Sequence, residues 1–182
     1  QVSGKRLLAL LNDLLDLSKL EADKMALNLS ESDLVSLFES CQLEQEQRMV
    51  DLGLTVKINK STDVVQGQFD ADRIGQVMSN ILSNSIKFSP ENSVLIVTIK
   101  QQDQQLYFSL QDSGVGIPEN ELGDVFDAFI QSSKTKTNAG GTGLGLAICK
   151  QIIEAHHGNI GARNNNEGGA IFTFTIPASQ RE

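Results

Sequence analysis

The chain has 182 residues, 40% of them hydrophobic and 21% charged, with a formal net charge of −8. That suits one globular domain plus an appendage and excludes a disordered chain. The acidic balance argues against nucleic acid or an anionic membrane as the main partner, and a bound polyphosphate would need local positive charge and a metal.

Residues 3–24 predict one long helix. Leu7 and Leu14, with Leu10 and Leu17, take a and d positions of a heptad, and Leu8, Leu11 and Leu15 widen the stripe. So broad a stripe suits a helix packed on several neighbours, as in a bundle or dimer. An amphipathic helix folded back on its own domain is the alternative. The chain opens on Gln1 and enters this pattern at once, as an excised fragment would. No signal peptide and no apolar run long enough to span a bilayer is found. Cys41 and Cys149 lie in helical patterns without a second ligand at metal spacing and read as reduced, packed thiols.

Alternation of Met25, Leu27 and Leu29 predicts a short strand. Ser32 or Asp33 caps a helix expected to run to about Leu52 and end at Gly53. Leu54, Val56 and Ile58 predict another strand. Asp70 caps a helix from Ala71 to about Phe88, stopped near Pro90. Strands follow over 94–101 and 105–111. Pro118 opens a short helix containing Val125, Phe126 and Phe129. The polar stretch 132–141 predicts a mobile loop. Thr142 or Gly143 opens a helix to about His156, ended by Gly158, and a closing hairpin takes 159–163 and 170–176. The fold class expected is α/β, a two-layer sandwich with a mixed sheet. The organisation is a leader helix (1–25), a main domain (26–179) and a frayed tail (180–182), with no internal repeat.

Three pieces carry chemistry. Asn80 and Asn84 share one helix face, with Lys87 a turn further on. Asparagine is a poor helix-interior residue, and its neutral carboxamide oxygen suits Mg²⁺ without repelling a polyphosphate. A solvated polar face is the plain alternative. Asp112-Ser-Gly114-Val-Gly116 follows a strand directly. A carboxylate there can accept from the exocyclic amine of adenine and reject guanine, while Gly114 and Gly116 allow close approach of a base; a simple turn would read the same. Gly141-Thr142-Gly143-Leu144-Gly145-Leu146 opens a helix and offers free amides to an anion; a plain glycine-permitted helix start would read the same. It lacks the ending of a P-loop and does not follow a strand as a dinucleotide fingerprint does. Lys134 and Lys136 either close over phosphates as a lid or belong to a solvated basic loop. The pair His156-His157 reads as helix-end residues in contact with the dipole rather than a metal site.

Assembled, these residues resemble the sensor histidine kinases of two-component signalling, over nearly the whole chain. Asn80–Phe88 matches the N box, Asp112–Gly116 and Gly141–Leu146 the two glycine boxes, and Phe126-Asp-Ala-Phe129 the F box. Residues 11–21 look like the second helix of the dimerisation and phosphotransfer hairpin. The resemblance implies a Bergerat-type ATP-binding fold. Asp112 would bind adenine and Asn84 would hold Mg²⁺. Asn80 and Lys87 would support the phosphates, and 132–140 would be the ATP lid. Phe126, Phe129, Lys134 and Lys136 join the nucleotide-binding set with the second glycine box. It further implies a homodimer in the parent protein, a response-regulator receiver as partner, and a cytoplasmic position beneath a parent that can be an inner-membrane sensor. Gln131 departs from members with a phosphate-contacting Arg there, which Lys134 or Lys136 would replace. The stretch 131–146 looks most like hybrid kinases. No box with the phosphoaccepting histidine is present, so the fragment is expected to bind ATP without phosphorylating itself. An ATP-driven conformational module of the gyrase or mismatch-repair type, an anti-sigma-type serine kinase and a degenerate scaffold are the other readings.

Overall fold

The computed structural model describes residues 4, 7, 8, 10–15, 18, 26–128 and 143–179. The described residues of the leader are helical, and Leu7, Leu8, Leu11, Leu14 and Leu15 are exposed. Among the described residues no helix is long and apolar enough to cross a membrane.

Among the described residues the elements then follow in the order β1 (Ser30–Asp33), α1 (Leu34–Glu44), α2 (Glu46–Asp51), β2 (Thr55–Lys60), β3 (Gln66–Phe69), α3 (Ala71–Phe88), β4 (Val94–Gln102), β5 (Gln105–Gln111), a 3₁₀ turn (Glu119–Glu121), α4 (Gly145–Ala155), β6 (Asn159–Asn164) and β7 (Ala170–Pro177). The main sheet has five strands in the order β2-β4-β5-β7-β6, and β1 pairs with β3 in a separate two-stranded ribbon. Among the described residues the β2–β4 pairing is parallel and the other pairings of this sheet are antiparallel, so the sheet is mixed as expected.

One face of the sheet makes the core. Leu95, Val97 and Ile99 of β4, Leu106, Phe108 and Leu110 of β5, and Phe174 and Ile176 of β7 alternate inward. Phe108 stacks on Phe174 with ring centroids 5.0 Å apart and meets Phe38 of α1 at 5.5 Å. Helix α3 lays Ile74, Val77, Met78, Ile81, Leu82 and Ile86 on this layer, the spacing of a single buried stripe. Ile148, Ile152 and Ile153 of α4 do the same. Asp70 caps α3 by accepting from the Arg73 amide at 3.1 Å, and Asp33 caps α1 by accepting from Val35 and Ser36.

Several local expectations are corrected. Residues 26–29 form no strand; the strand is the polar segment β1, held in register by β3, which alternation does not reveal. The helix expected over 34–52 breaks at Gln45, whose backbone leaves helical geometry and whose amide turns back to Gln42. Among the described residues after Pro118, up to residue 128, the 3₁₀ turn forms in place of the expected helix and is followed by further turns. Helix α4 starts at Gly145 because Gly143 has φ of +72° and Leu144 stands at the cap. Its end is a Schellman turn in which His157, not Gly158, takes the left-handed position, with φ of +57°. Gly158 is required for another reason: a Cβ there would collide with the Thr175 carbonyl.

Candidate nucleotide site

The three chemical segments converge although they are far apart in sequence. On α3, the Asn80 Nδ2 donates to the carbonyl of Gly145, the first residue of α4, at 3.2 Å. Two turns along the same helix, the Phe88 carbonyl lies against the loop after β5: a Cβ on Gly114 would sit 2.6 Å from that oxygen. Asn84 is one turn from each of these contacts, so it faces the space between the start of α4 and the 112–116 loop. It is half-buried, and among the described residues no hydrogen bond engages its carboxamide. Lys87, also half-buried, places Nζ 5.0 Å from the centroid of the Phe88 ring.

Asp112 ends β5 and is 4% exposed. Its Oδ1 accepts from the amides of Gly114 and Ala170, both at 2.9 Å. Among the described residues these bonds fall on one oxygen, so Oδ2 is the edge available to a ligand. Burial pushes the carboxyl above its usual range, and the two amides pull the other way. Gly169, with φ of +89°, brings the β6–β7 turn against Asp112, where a Cβ would collide with the Asp112 carbonyl. Gly116 also has a positive φ, of +70°.

Asn164, placed by the sequence in an undistinguished turn, is part of this construction. It accepts from the Ile117 amide at 2.8 Å and donates to the Ile117 carbonyl at 2.6 Å. That fixes the far end of the 112–117 loop to β6. A lone turn asparagine gives no warning of such a role.

Other expected site residues stand differently. Phe126 is buried and meets Phe172 edge to face at 6.5 Å, so its side chain belongs to the core. Leu144 is fully buried, leaving only its backbone to face a ligand, and Leu146 is half-buried against the core. Gly143 and Gly145 sit at the start of α4, whose cap has no side-chain hydrogen bond. Phe129, Gln131, Lys134, Lys136, Gly141, Thr142 and the loop expected over 132–141 lie outside the described residues. His156 is not a positively charged helix-end group. It is wholly buried, its Nε2 accepts from the Asp70 amide at 3.0 Å, and its Nδ1 donates to the Ile152 carbonyl at 2.8 Å. Burial holds its pKa below the ordinary value, so it is the neutral tautomer.

Residues 69–180 match the family of histidine kinase-, DNA gyrase B- and HSP90-like ATPases. The chain belongs to this ATPase family. Within it, the relatives favour the kinases. The circadian input-output histidine kinase CikA of Synechococcus elongatus is 36% identical over 184 residues, which cover 96% of this chain and 24% of CikA. The full-length structure of ShkA in complex with AMPPNP superposes with a TM-score of 0.86 at 28% identity, over 98% of this chain and 37% of that one. Histidine kinase ThkA in complex with the response regulator TrrA gives a TM-score of 0.80 at 25% identity, over 97% of this chain and 48% of that one. The fold is that of an ATP-binding histidine kinase catalytic domain, and this chain spans about a quarter of its curated relative CikA.

Proposed function

We propose that this chain positions Mg-ATP for γ-phosphoryl transfer to a histidine on a helix beyond the sequence given, and that a response-regulator aspartate receives the phosphoryl group next. The observation that carries the reading is the buried Asp112 carboxylate, fixed through Oδ1 by two backbone amides, in a loop that packs on α3 one turn from an Asn84 carboxamide with no partner among the described residues. Oδ2 of Asp112 accepts from the adenine amine. Guanine presents a carbonyl there and is repelled. The start of α4 supplies amides and dipole to the phosphates, with Lys87 as a point charge alongside and Asn80 on the same face.

The donor set fits magnesium rather than a metal held by the protein alone. Among the described residues no three His, Cys, Asp or Glu side chains gather as ligands. A neutral carboxamide oxygen and phosphate oxygens are the hard ligands Mg²⁺ takes, and Asn84 is the residue that would hold it. When bound, the ion would neutralise charge on the phosphates. The imidazole nitrogen of the acceptor forms the new N–P bond as the bond from the γ-phosphorus to the β,γ-bridging oxygen breaks and ADP leaves. This domain contributes orientation and electrostatics to that exchange.

The exposed leucines of the leader support its pairing with a hairpin helix and with a second copy in the parent protein. We place the boundary between that helix and the catalytic domain at residues 25 and 26, in the cytoplasm of a parent that senses a signal elsewhere. A receiver domain fits as the partner because ThkA is seen with one.

The test has two parts. Calorimetric titration with AMPPNP should show binding by the unaltered chain and none by Asp112→Ala or Asn84→Ala, with all three folded by circular dichroism. Unchanged affinity in either variant rejects the site. Adding a phosphotransfer hairpin from the parent protein with γ-labelled ATP should label its histidine. Steady-state release of phosphate by this chain alone would favour a conformational ATPase instead.

A further inference from the structure

Asn80 bridges two helices in a way that settles which end of its amide a ligand can meet. A carboxamide nitrogen has two hydrogens to donate. In Asn80, Nδ2 lies 3.2 Å from the Gly145 carbonyl oxygen and 3.6 Å from Cys149 Sγ, both on α4. Cys149 Sγ in turn reaches the Val77 carbonyl on α3 at 3.8 Å. The thiol hydrogen therefore points back to α3 while a sulfur lone pair faces Asn80. Two acceptors on one side of an amide fix its orientation: a flipped Asn80 would set Oδ1 against a carbonyl oxygen and leave both hydrogens away from their acceptors.

We propose that the Gly145 carbonyl and Cys149 hold both N–H groups of Asn80 on α4, so that Asn80 meets a bound nucleotide only as an acceptor. Cys149 is the positioning residue that makes this so. An acceptor cannot bond a phosphate oxygen, which is itself an acceptor. It can bond water in the coordination shell of the metal, or the metal itself. Asn80 thus belongs to the metal side of the nucleotide, whereas its plainest role would be donation to a phosphate. The proposal rests on the nucleotide reading above and adds a division of labour to it.

The thiol is suited to the task. Cys149 is fully buried, and burial pushes its pKa up to about 12, so it stays a neutral donor and acceptor rather than a thiolate. A valine there would fill similar space while offering neither role; a serine would offer both.

The experiment is AMPPNP titration of the 182-residue chain with magnesium and again in EDTA. The quantity read is the factor by which metal strengthens binding. Asn80→Ala should cut that factor about fivefold, the worth of roughly one net hydrogen bond. Cys149→Val should cut it about twofold to threefold, and Cys149→Ser should restore it, because a hydroxyl can also accept from Nδ2. A parallel loss with and without metal in Asn80→Ala would make Asn80 a phosphate donor and overturn the proposal. So would a Cys149→Val chain with the same metal factor as the original. Side-chain amide signals of Asn80 give a second reading independent of variant folding. In nitrogen-correlated NMR of the unaltered chain both N–H groups should stay protected from exchange with solvent before and after AMPPNP and magnesium are added; loss of that protection in either one, or a coupling from either N–H to phosphorus, overturns the arrangement. If the unaltered chain binds no AMPPNP at all, the function proposed above fails first.

Discussion

Helices α3 and α4 run antiparallel, and their two shared ends treat polar groups in opposite ways. At the start of α3, every polar contact closes on a neighbour. Asp70 caps the helix, takes the Asn28 amide at 2.8 Å on its other oxygen and gives its own amide to buried His156. At the start of α4, polar groups stop short of closure. Asn84 is unengaged among the described residues, Asp112 is held through one oxygen, and Asn80 turns both hydrogens one way. Buried polar groups normally satisfy each other, so an end that leaves acceptors turned outward is built for something that arrives later. On the function proposed above, the contrast separates polar residues that hold the fold from those that would serve a ligand, though both groups gather around the same pair of helices.

Asp112→Asn should break the open end with the largest effect. The variant keeps an oxygen for Gly114 and Ala170, so the loop stays in place, but it turns an NH₂ toward the adenine amine. ATP affinity should fall by about a hundredfold or more, since a charge-assisted bond is replaced by two opposed donors. Stability should rise slightly. The folded pKa of Asp112 lies above its unfolded value, so the fold binds the proton more tightly than the unfolded chain does. Ionised Asp112 therefore costs stability at neutral pH, and asparagine removes that cost. The same sign predicts that ATP affinity declines as pH falls through a value above 3.8, where the carboxylate is lost. Undiminished ATP binding by Asp112→Asn in calorimetry would contradict the adenine contact.

His156→Leu should break the closed end, through stability rather than affinity. It strands the buried Asp70 amide, a cost of about 2 kcal/mol. The pH dependence is diagnostic. His156 has its folded pKa below 6.5, so the unfolded chain takes up the proton first as pH drops. Its contribution is present above about 6.5 and is lost as pH falls toward the folded pKa. Urea denaturation at pH 7.5 and pH 5 should show this loss in the unaltered chain and a flatter dependence in the variant. A variant with the same pH slope as the original would remove His156 from the account.

How much of this was legible beforehand depended on whether the signal was local. The apolar stripe of α3, its Asp70 cap and the alternation of β4 and β5 are written in adjacent residues, and they appear where they were expected. The ribbon of β1 and β3 was hidden because Ser30–Asp33 is polar throughout and Gln66–Phe69 offers one large apolar side chain, Phe69; both gain strand geometry only by pairing across some 35 residues. The break at Gln45 carries no glycine or proline to announce it. For the candidate site, residue types and spacing point to Asn80, Asn84 and Asp112. Nothing in the spacing could say that Cys149 touches Asn80, because that contact spans 69 residues. His156 was misjudged because a histidine at a helix end reads as charged unless its burial is known.

The smallest effect, and the sharpest test of where the two ends meet in one residue, belongs to Asn164. It closes both its polar ends as the Asp70 region does, yet it does so on the loop that carries Asp112. Asn164→Ala should cost about 1 kcal/mol: it removes both bonds to Ile117, but Asn164 is itself half-buried, so water entering the vacated space can replace part of them. ATP affinity should weaken only about threefold, through a looser loop rather than a lost contact. Asn164→Asp keeps the oxygen that accepts from the Ile117 amide but sets a carboxylate against the Ile117 carbonyl, so it should weaken both properties more than alanine does. Thermal melts and titrations on the two variants read these effects separately. Should alanine abolish ATP binding while leaving the melting temperature untouched, Asn164 would belong to the ligand's own contacts. The line between fold-holding and ligand-serving residues would then have to be redrawn on the β6 side of Asp112.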